Sequence, residues 1–149
     1  MPRHEAIGLL SAFVTPASEN GLHWDAETLF DRMNDPTRDY AVHATADLLL
    51  ISSSRTTRGI RHALLCGFFA RPDAVVTSGA VRNLVRAACR FWKHPVFVYA
   101  GVNNRLPGLP GVALPARFRP PILVQIRDFD TDRPELRLVR FQLIDSDFV

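Results

Sequence analysis

Three apolar runs, each followed by small polar residues, constrain the fold of this chain more than any other feature. The first run, "DLLLI" at residues 47–51, gives way to "SSSRTTRG". The runs at 74–77 and 96–101 lead into "TSG" and "GVNNR". Short apolar runs bounded by turn-forming residues are typical of buried strands. With helical patterns between them, these runs favour parallel strands joined by crossover helices.

Apolar periodicity predicts the helices. Residues 59–70 are apolar nearly all round and predict a helix that is buried on most sides. Residues 80–92 predict an amphipathic helix, because their apolar residues recur at helical spacing and form one stripe. That stripe consists of Val81, Leu84, Val85, Ala88 and Trp92.

The N-terminal third gives weaker signals. The apolar run at 6–14 predicts a short buried strand. Residues 25–34 predict a helix with acidic residues in its first turn and Pro36 beyond its end. Residues 37–46 predict a second short helix.

The C-terminal third begins with a segment rich in proline and glycine. Residues 103–121 hold five prolines and two glycines, and we expect an irregular loop there. Alternating apolar residues at 122–128 and 135–145 predict an antiparallel strand pair. The predicted fold is therefore α/β, or α+β, in a single domain over 1–149. Its mixed sheet has parallel central strands, crossover helices and a C-terminal antiparallel strand pair.

Charge is distributed unevenly along the chain. Residues 1–50 hold three arginines and eight acidic residues, a net charge of −5. Residues 51–100 hold seven arginines, Lys93 and one acidic residue, Asp73, a net charge of +7. The middle third is therefore expected either to attract an anion or to dock on the acidic first third.

The polar residues after the first apolar run are the main candidates for a binding site. A helix that begins after a strand presents unpaired N–H groups and a partial positive charge. Ligands of open α/β sheets bind at this edge. Serine and threonine hydroxyls, arginine charge and a glycine would complete an anion site there. The candidates in this run are Ser52, Ser53, Ser54, Arg55, Thr56, Thr57, Arg58 and Gly59.

The two later runs end in a similar way. Thr77, Ser78 and Gly79 follow the second run, and Asn103 follows the third. Parallel strands would bring all three ends to one edge of the sheet, where a phosphate or carboxylate would meet donors on several sides. Ordinary helix capping is the alternative explanation for these serines and threonines. The alternative for Arg55 and Arg58 is pairing with acids of the first third.

One segment resembles a known family. "RGIRHALL", residues 58–65, resembles the "RGxGxxLL" segment of GCN5-related acetyltransferases, with Arg61 in place of the second glycine. In that family a strand feeds a helix whose N-terminus cradles the pyrophosphate of acetyl-CoA. The resemblance implies that the backbone around residues 58–62 faces such a cofactor.

These observations leave several functions open. The leading hypothesis is a protein that binds an anionic small molecule, with group transfer from a CoA-like or nucleotide-like carrier as its possible reaction. The alternative is a non-catalytic interaction module, either a homo-oligomer or bound to a protein partner. Nucleic-acid binding by the row of Arg82, Arg86 and Arg90 ranks third. The more common explanation of such a row is a solvated helix face, or one docked on the acidic first third. The cofactor and the catalytic residues stay unassigned, and Tyr99 is a candidate proton donor by position alone.

The remaining patterns point to an ordinary intracellular protein. Cys66 and Cys89 are expected to be buried, reduced thiols. The histidines are scattered singly, and no cysteine or histidine spacing fits a zinc site. No run reaches the ~20 apolar residues of a membrane-spanning helix. We expect a cytoplasmic protein without a membrane partner.

Overall fold

The computed structural model describes residues 2–14, 24–112 and 140–145. Its helices are α1 (Arg3–Ser11), α2 (Ala26–Met33) and α3 (Ser78–Trp92). Its strands are β1 (Tyr40–Ala44), β2 (Leu48–Thr57), β3 (Ile60–Ala70), β4 (Phe97–Tyr99), β5 (Gly101–Asn103) and β6 (Arg140–Gln142), and a short 3₁₀ helix covers Leu143–Asp145.

A mixed sheet forms the centre of the fold. Its strand order is β1-β2-β3-β4, and β5 pairs with β6 in a separate two-stranded sheet. The pairs β1–β2 and β2–β3 are antiparallel, whereas β3 and β4 are parallel and are joined through α3. The predicted fold class is thereby confirmed as α+β, with one parallel pair, its crossover helix and an antiparallel pair near the C-terminus.

The first apolar run continues into a long β-hairpin and not into a helix. β2 and β3 pair along their length from Leu48 with Ala70 to Thr57 with Ile60. Arg58 and Gly59 form the two-residue turn, with φ angles of 51° and 80°. Positive φ at both central residues is the signature of a type I′ hairpin turn. The predicted helix over 59–70 is wrong, because a strand buried on both faces has the same all-round apolar sequence as a buried helix.

Three N-terminal or connecting elements also differ from the predictions. Residues 6–14, predicted as a strand, lie mostly in α1, where Ala6 and Leu10 are buried one helical turn apart. Residues 37–46, predicted as a helix, contain strand β1. No strand forms at 74–77, which connect β3 to α3. Short apolar runs do not separate helix from strand, and these errors follow from that ambiguity.

Other elements agree with the predictions. The helices predicted at 25–34 and 80–92 correspond to α2 and α3, and the run at 96–101 contains β4. The predicted strand at 122–128 lies outside the described residues. β6 falls inside the predicted strand at 135–145, but its described partner is β5.

The sheet has an apolar layer on each face. Leu49 and Ile51 face α1, α2 and the 3₁₀ helix, whereas Leu48 and Leu50 face α3. In β3 the register shifts by one residue opposite Ile51 and Ser52, because Ile51 pairs with Gly67 and Ser52 with Leu65. This bulge leaves Cys66 as the extra residue and changes which face the following side chains occupy.

The side-chain amide of Gln142 connects the β5–β6 sheet to β3 through two hydrogen bonds. The Gln142 side chain is fully buried. Its Oε1 accepts the N–H of Phe68 at 2.7 Å, and its Nε2 donates to the Phe68 carbonyl at 3.1 Å. Gly101, opposite Gln142, has φ +150°, and a Cβ there would lie 2.4 Å from the Phe141 carbonyl oxygen. This close approach requires glycine at position 101.

Candidate functional site

The predicted site residues fall into two groups at opposite ends of the sheet. Ser54 lies near the hairpin turn, where its β3 partner is Ala63. α3 begins at Ser78, beyond the other end of β3, and Asn103 bonds to Phe68 near that same end. The prediction that the three polar strand ends meet at one edge is wrong, because β2 runs antiparallel to β3.

Ser52, Ser53 and Ser54 take part in internal hydrogen bonds. Ser52 is fully buried, and its Oγ accepts the Trp92 indole N–H at 2.9 Å and lies 2.9 Å from Nε2 of His43. Ser53 donates to the Asp39 carbonyl at 2.8 Å. The Oγ of Ser54 lies 2.8 Å from Nε2 of His94.

The polar environment of Ser52 fixes the end of α3 against the sheet. An indole nitrogen can only donate, so the Ser52 hydroxyl hydrogen is left for His43 or for a backbone carbonyl. Burial lowers the pKa of His43, which keeps its imidazole neutral at pH 7. A fully buried hydroxyl cannot reach a ligand, so Ser52 acts in packing.

The hairpin tip carries the exposed part of the first predicted group. Arg55, Thr56, Thr57, Arg58 and Gly59 are all exposed. Because no helix begins here, these residues have no helix N-terminus to add its N–H groups or its partial charge. The segment that resembles the acetyltransferase motif is therefore a turn and a strand. Among the described residues neither arginine has an ion-pair partner; the ion pair present there joins Arg3 to Asp31 at 3.2 Å.

The second predicted group lies at the start of a real helix. The Thr77 hydroxyl oxygen accepts the N–H of Ala80 at 3.2 Å and caps α3. Ser78 and Gly79 are exposed, and no described acceptor bonds to their N–H groups. The first turn contains no acidic residue, and Asp73, in the preceding loop, is fully outside the helix. The positive end of α3 is thus open to an anion.

A gap in the parallel strand pairing precedes the loop that leads to this helix start. The pairing of β3 with β4 ends at Leu65 with Tyr99, although β3 continues to Ala70. Side chains of the C-terminal sheet occupy the gap. Nδ2 of Asn103 donates to the Phe68 carbonyl at 3.2 Å and to Oε1 of Gln142 at 3.3 Å. The Tyr99 hydroxyl donates to the same Gln142 oxygen at 3.4 Å.

Arg105 fixes the loop that precedes α3. Its guanidinium donates to three backbone carbonyls, at 3.1 Å to Arg71, 2.9 Å to Pro72 and 3.4 Å to Ala74. The N–H of Arg105 itself donates to Oδ1 of Asn103 at 3.1 Å. Both polar atoms of the Asn103 side-chain amide therefore take part in hydrogen bonds. It connects Phe68 of β3 to the loop before α3.

In the sequence, Arg105 is marked only as the last residue of the polar segment after the third apolar run. Its hydrogen bonds to the loop before α3 were not predicted. The role of Gln142 was not predicted either. No local pattern marks Gln142, because its contacts with Phe68 span 74 positions of sequence. Cys66 lies in β3 and not in a helix; it is buried and reduced, and burial raises the pKa of its thiol to about 12. A thiol with that pKa is not a nucleophile at neutral pH.

The described residues contain neither a metal-binding cluster nor a membrane-spanning helix. No three histidine, cysteine, aspartate or glutamate side chains among residues 2–14, 24–112 and 140–145 are grouped so as to hold a metal ion. In the same ranges no helix is both long enough and apolar enough to cross a membrane.

Comparison with protein families, with curated proteins and with solved structures finds no match to this chain. Any assignment of function therefore depends on the geometry described above.

Proposed function

We propose that the protein binds a phosphate-bearing, CoA-like small molecule at the start of α3. The observation that carries the proposal is the conjunction of two features at one place. The parallel strands β3 and β4 stop pairing at Leu65 and Tyr99, and the loop after this gap leads to a helix N-terminus without acidic residues. Helix N-termini at the carboxyl ends of parallel strands bind phosphate groups through their N–H donors.

Three residues of the predicted site contribute directly in this proposal. The Ser78 and Gly79 N–H groups receive the phosphate, and the exposed Ser78 hydroxyl adds a donor. Thr77 orients the turn through its bond to Ala80. A side chain at Gly79 would meet only the Thr77 hydroxyl oxygen, at 3.8 Å, so the approach to the helix start is open.

The edge of β3 beside this helix start is already filled, because the Gln142 amide bonds to both the N–H and the carbonyl of Phe68. A ligand at the helix start therefore makes its polar contacts with Ser78 and Gly79.

Group transfer is the reaction that fits such a carrier. An acceptor nucleophile would form a bond to the acyl carbon of a thioester, and the carbon–sulfur bond would break. The departing thiolate needs a proton, and the Tyr99 hydroxyl in the gap is our candidate donor. CoA-like carriers are abundant in the cytoplasm, where we place the protein.

A ligand titration with matched variants tests this proposal. Thermal shift and calorimetry are measured with CoA, ATP, ribose 5-phosphate and inorganic phosphate at constant ionic strength. We expect CoA to stabilise the protein more than inorganic phosphate does, because it carries several phosphate groups and an amide-bearing arm. The double variant Arg55→Ala, Arg58→Ala should bind CoA as the wild type does. Absence of a shift with all four compounds would refute the proposal.

The transfer step has its own test. Release of free thiol from acetyl-CoA is followed with candidate amine acceptors. In Tyr99→Phe the release should slow at least about a hundredfold, the lower end of the range for a general acid. CoA affinity should be unchanged. Equal rates in the two proteins would remove Tyr99 from the mechanism.

A further inference from the structure

Six exposed cations lie on α3, directly after α3, at the hairpin turn and near the start of β3. We call this surface the basic face; its members are Arg58, Arg61, Arg82, Arg86, Arg90 and Lys93. In the described structure none of the six has an ion pair or a side-chain hydrogen bond. The acidic first third therefore does not neutralise them there. A concentration of unpaired positive charge is expected to bind an anionic partner.

The six cations follow a single path over the surface. Arg82, Arg86 and Arg90 recur at every fourth residue of α3, about 6 Å apart along the helix axis. Lys93 comes directly after the helix, and the next residue, His94, bonds to Ser54 of the hairpin. Two residues further along β2, Thr56 pairs with Arg61, and the turn at Arg58 follows. The path thus runs from α3 to the hairpin tip.

An exposed aromatic ring lies near the Arg90 end of this path, on the flank of α3 that faces β1. Phe91 follows Arg90 and is 61% exposed. Two neighbouring rings hold it edge-on: the centroid of Trp92 is 4.9 Å away and that of His43 is 5.6 Å away. The ring is therefore fixed in place while much of its surface is open to solvent. Bases of single-stranded nucleic acids stack on aromatic rings of this kind in sites that also track the backbone with basic residues.

We propose that the basic face binds single-stranded nucleic acid, with the phosphates along the six cations and a base on Phe91. Regular spacing favours this partner over an acidic protein, because a phosphate backbone repeats its charge at fixed intervals. An unpaired strand is favoured over a duplex, because a duplex keeps its bases stacked inside and leaves Phe91 without a partner. The aromatic end of this surface is separate from the small-molecule site, since Phe91 lies near the opposite end of α3 from Ser78, whereas Arg82 lies about one helical turn from Ser78.

Binding of a fluorescent 20-nucleotide single strand of mixed sequence, of the matching duplex and of polyglutamate tests the proposal. The logarithm of affinity for a single strand falls with the logarithm of salt by about 0.7 per phosphate contacted. The triple variant Arg82→Ala, Arg86→Ala, Arg90→Ala should therefore reduce the slope by about 2. The matched triple Arg→Lys variant keeps the charges and should keep the slope.

Variants of Phe91 separate stacking from charge. Loss of one base stack weakens binding by about tenfold. We expect that loss in Phe91→Ala and also in Phe91→Leu, which keeps an apolar side chain without a ring. Phe91→Trp should retain the affinity, and all three variants should keep the wild-type salt slope. Val75→Ala, an exposed apolar position in the loop before α3, is the control and should bind normally.

Several results would overturn the proposal. These are absence of binding, equal or tighter binding of the duplex, equal binding of polyglutamate, or wild-type affinity in Phe91→Leu. Because this surface and the CoA-like site use different residues, CoA binding by the Phe91 variants should be that of the wild type whichever result is found.

Discussion

An acidic residue at position 79 should stabilise α3 and at the same time weaken anion binding. In Gly79→Asp a carboxylate stands in the first helical turn, where it interacts favourably with the helix dipole. A Cβ at this position has 3.8 Å to its nearest described neighbour, so the substitution fits without displacement. The same carboxylate would lie beside the N–H groups of Ser78 and Gly79, where we propose that a phosphate binds.

Gly79→Asn is the matched control, because asparagine has nearly the same size and no charge. Both variants remove a helical glycine, so their difference isolates the charge. We expect Gly79→Asp to exceed Gly79→Asn in stability by about 0.3–1 kcal/mol. For a chain of this size that difference corresponds to roughly 1–4 °C in Tm.

The effect on ligand binding has the opposite sign. Two unit charges about 4 Å apart in water repel by about 1 kcal/mol, and by more where the protein excludes water. Gly79→Asp should therefore bind CoA at least about fivefold more weakly than Gly79→Asn does, by calorimetry. Equal affinities in the two variants would refute the reasoning, and so would a lower Tm for Gly79→Asp than for Gly79→Asn.

Four further predictions concern stability and reactivity. Gly101→Ala should lower Tm by several degrees, because its Cβ meets a backbone carbonyl; an unchanged Tm would contradict the β5–β6 geometry. Gln142→Ala should cost about 1–3 kcal/mol in urea unfolding, because it leaves the buried Phe68 N–H without its acceptor; a cost below about 0.5 kcal/mol would contradict this. With Cys66 at a pKa of about 12, a thiol reagent at pH 8 should label the folded protein only at Cys89, and both thiols in denaturant. Burial lowers the pKa of His43, so the unfolded state binds its proton more readily and stability falls as pH drops through about 6.5; His43→Gln should lose less stability than the wild type between pH 7 and 5.

The sequence predicted α3 and its amphipathic stripe well, because fifteen residues of helical periodicity have one interpretation. It failed at residues 59–70, where both faces of β3 are buried and the apolar pattern loses its period. The signal that was present is the pair Arg58–Gly59 between two apolar runs, since glycine supplies one of the two positive φ angles of a hairpin turn. Once that turn is misread, the direction of the first predicted strand relative to the others is wrong.

The sequence predicted the types of residue at the candidate site. It did not predict which of these residues lie close together. The capping role of Thr77 and the polar start of α3 follow from helix-start preferences. The internal use of Ser52 and Ser54 depends on Trp92, His43 and His94, which lie up to 40 positions away. Local patterns carry no information on such pairs. Ordinary helix capping and internal hydrogen bonds therefore account for some of the polar residues that were predicted from the sequence to bind a ligand.

Backbone amide chemical shifts during a CoA titration test the central claim most directly, because they report on the helix start and on the hairpin turn in one experiment. If CoA binds as proposed, the amide signals of Ser78 and Gly79 move with a common affinity, and those of Arg58 and Gly59 stay in place. Movement confined to Arg58 and Gly59, or saturation of the protein with CoA while the Ser78 and Gly79 signals do not move, would contradict the account.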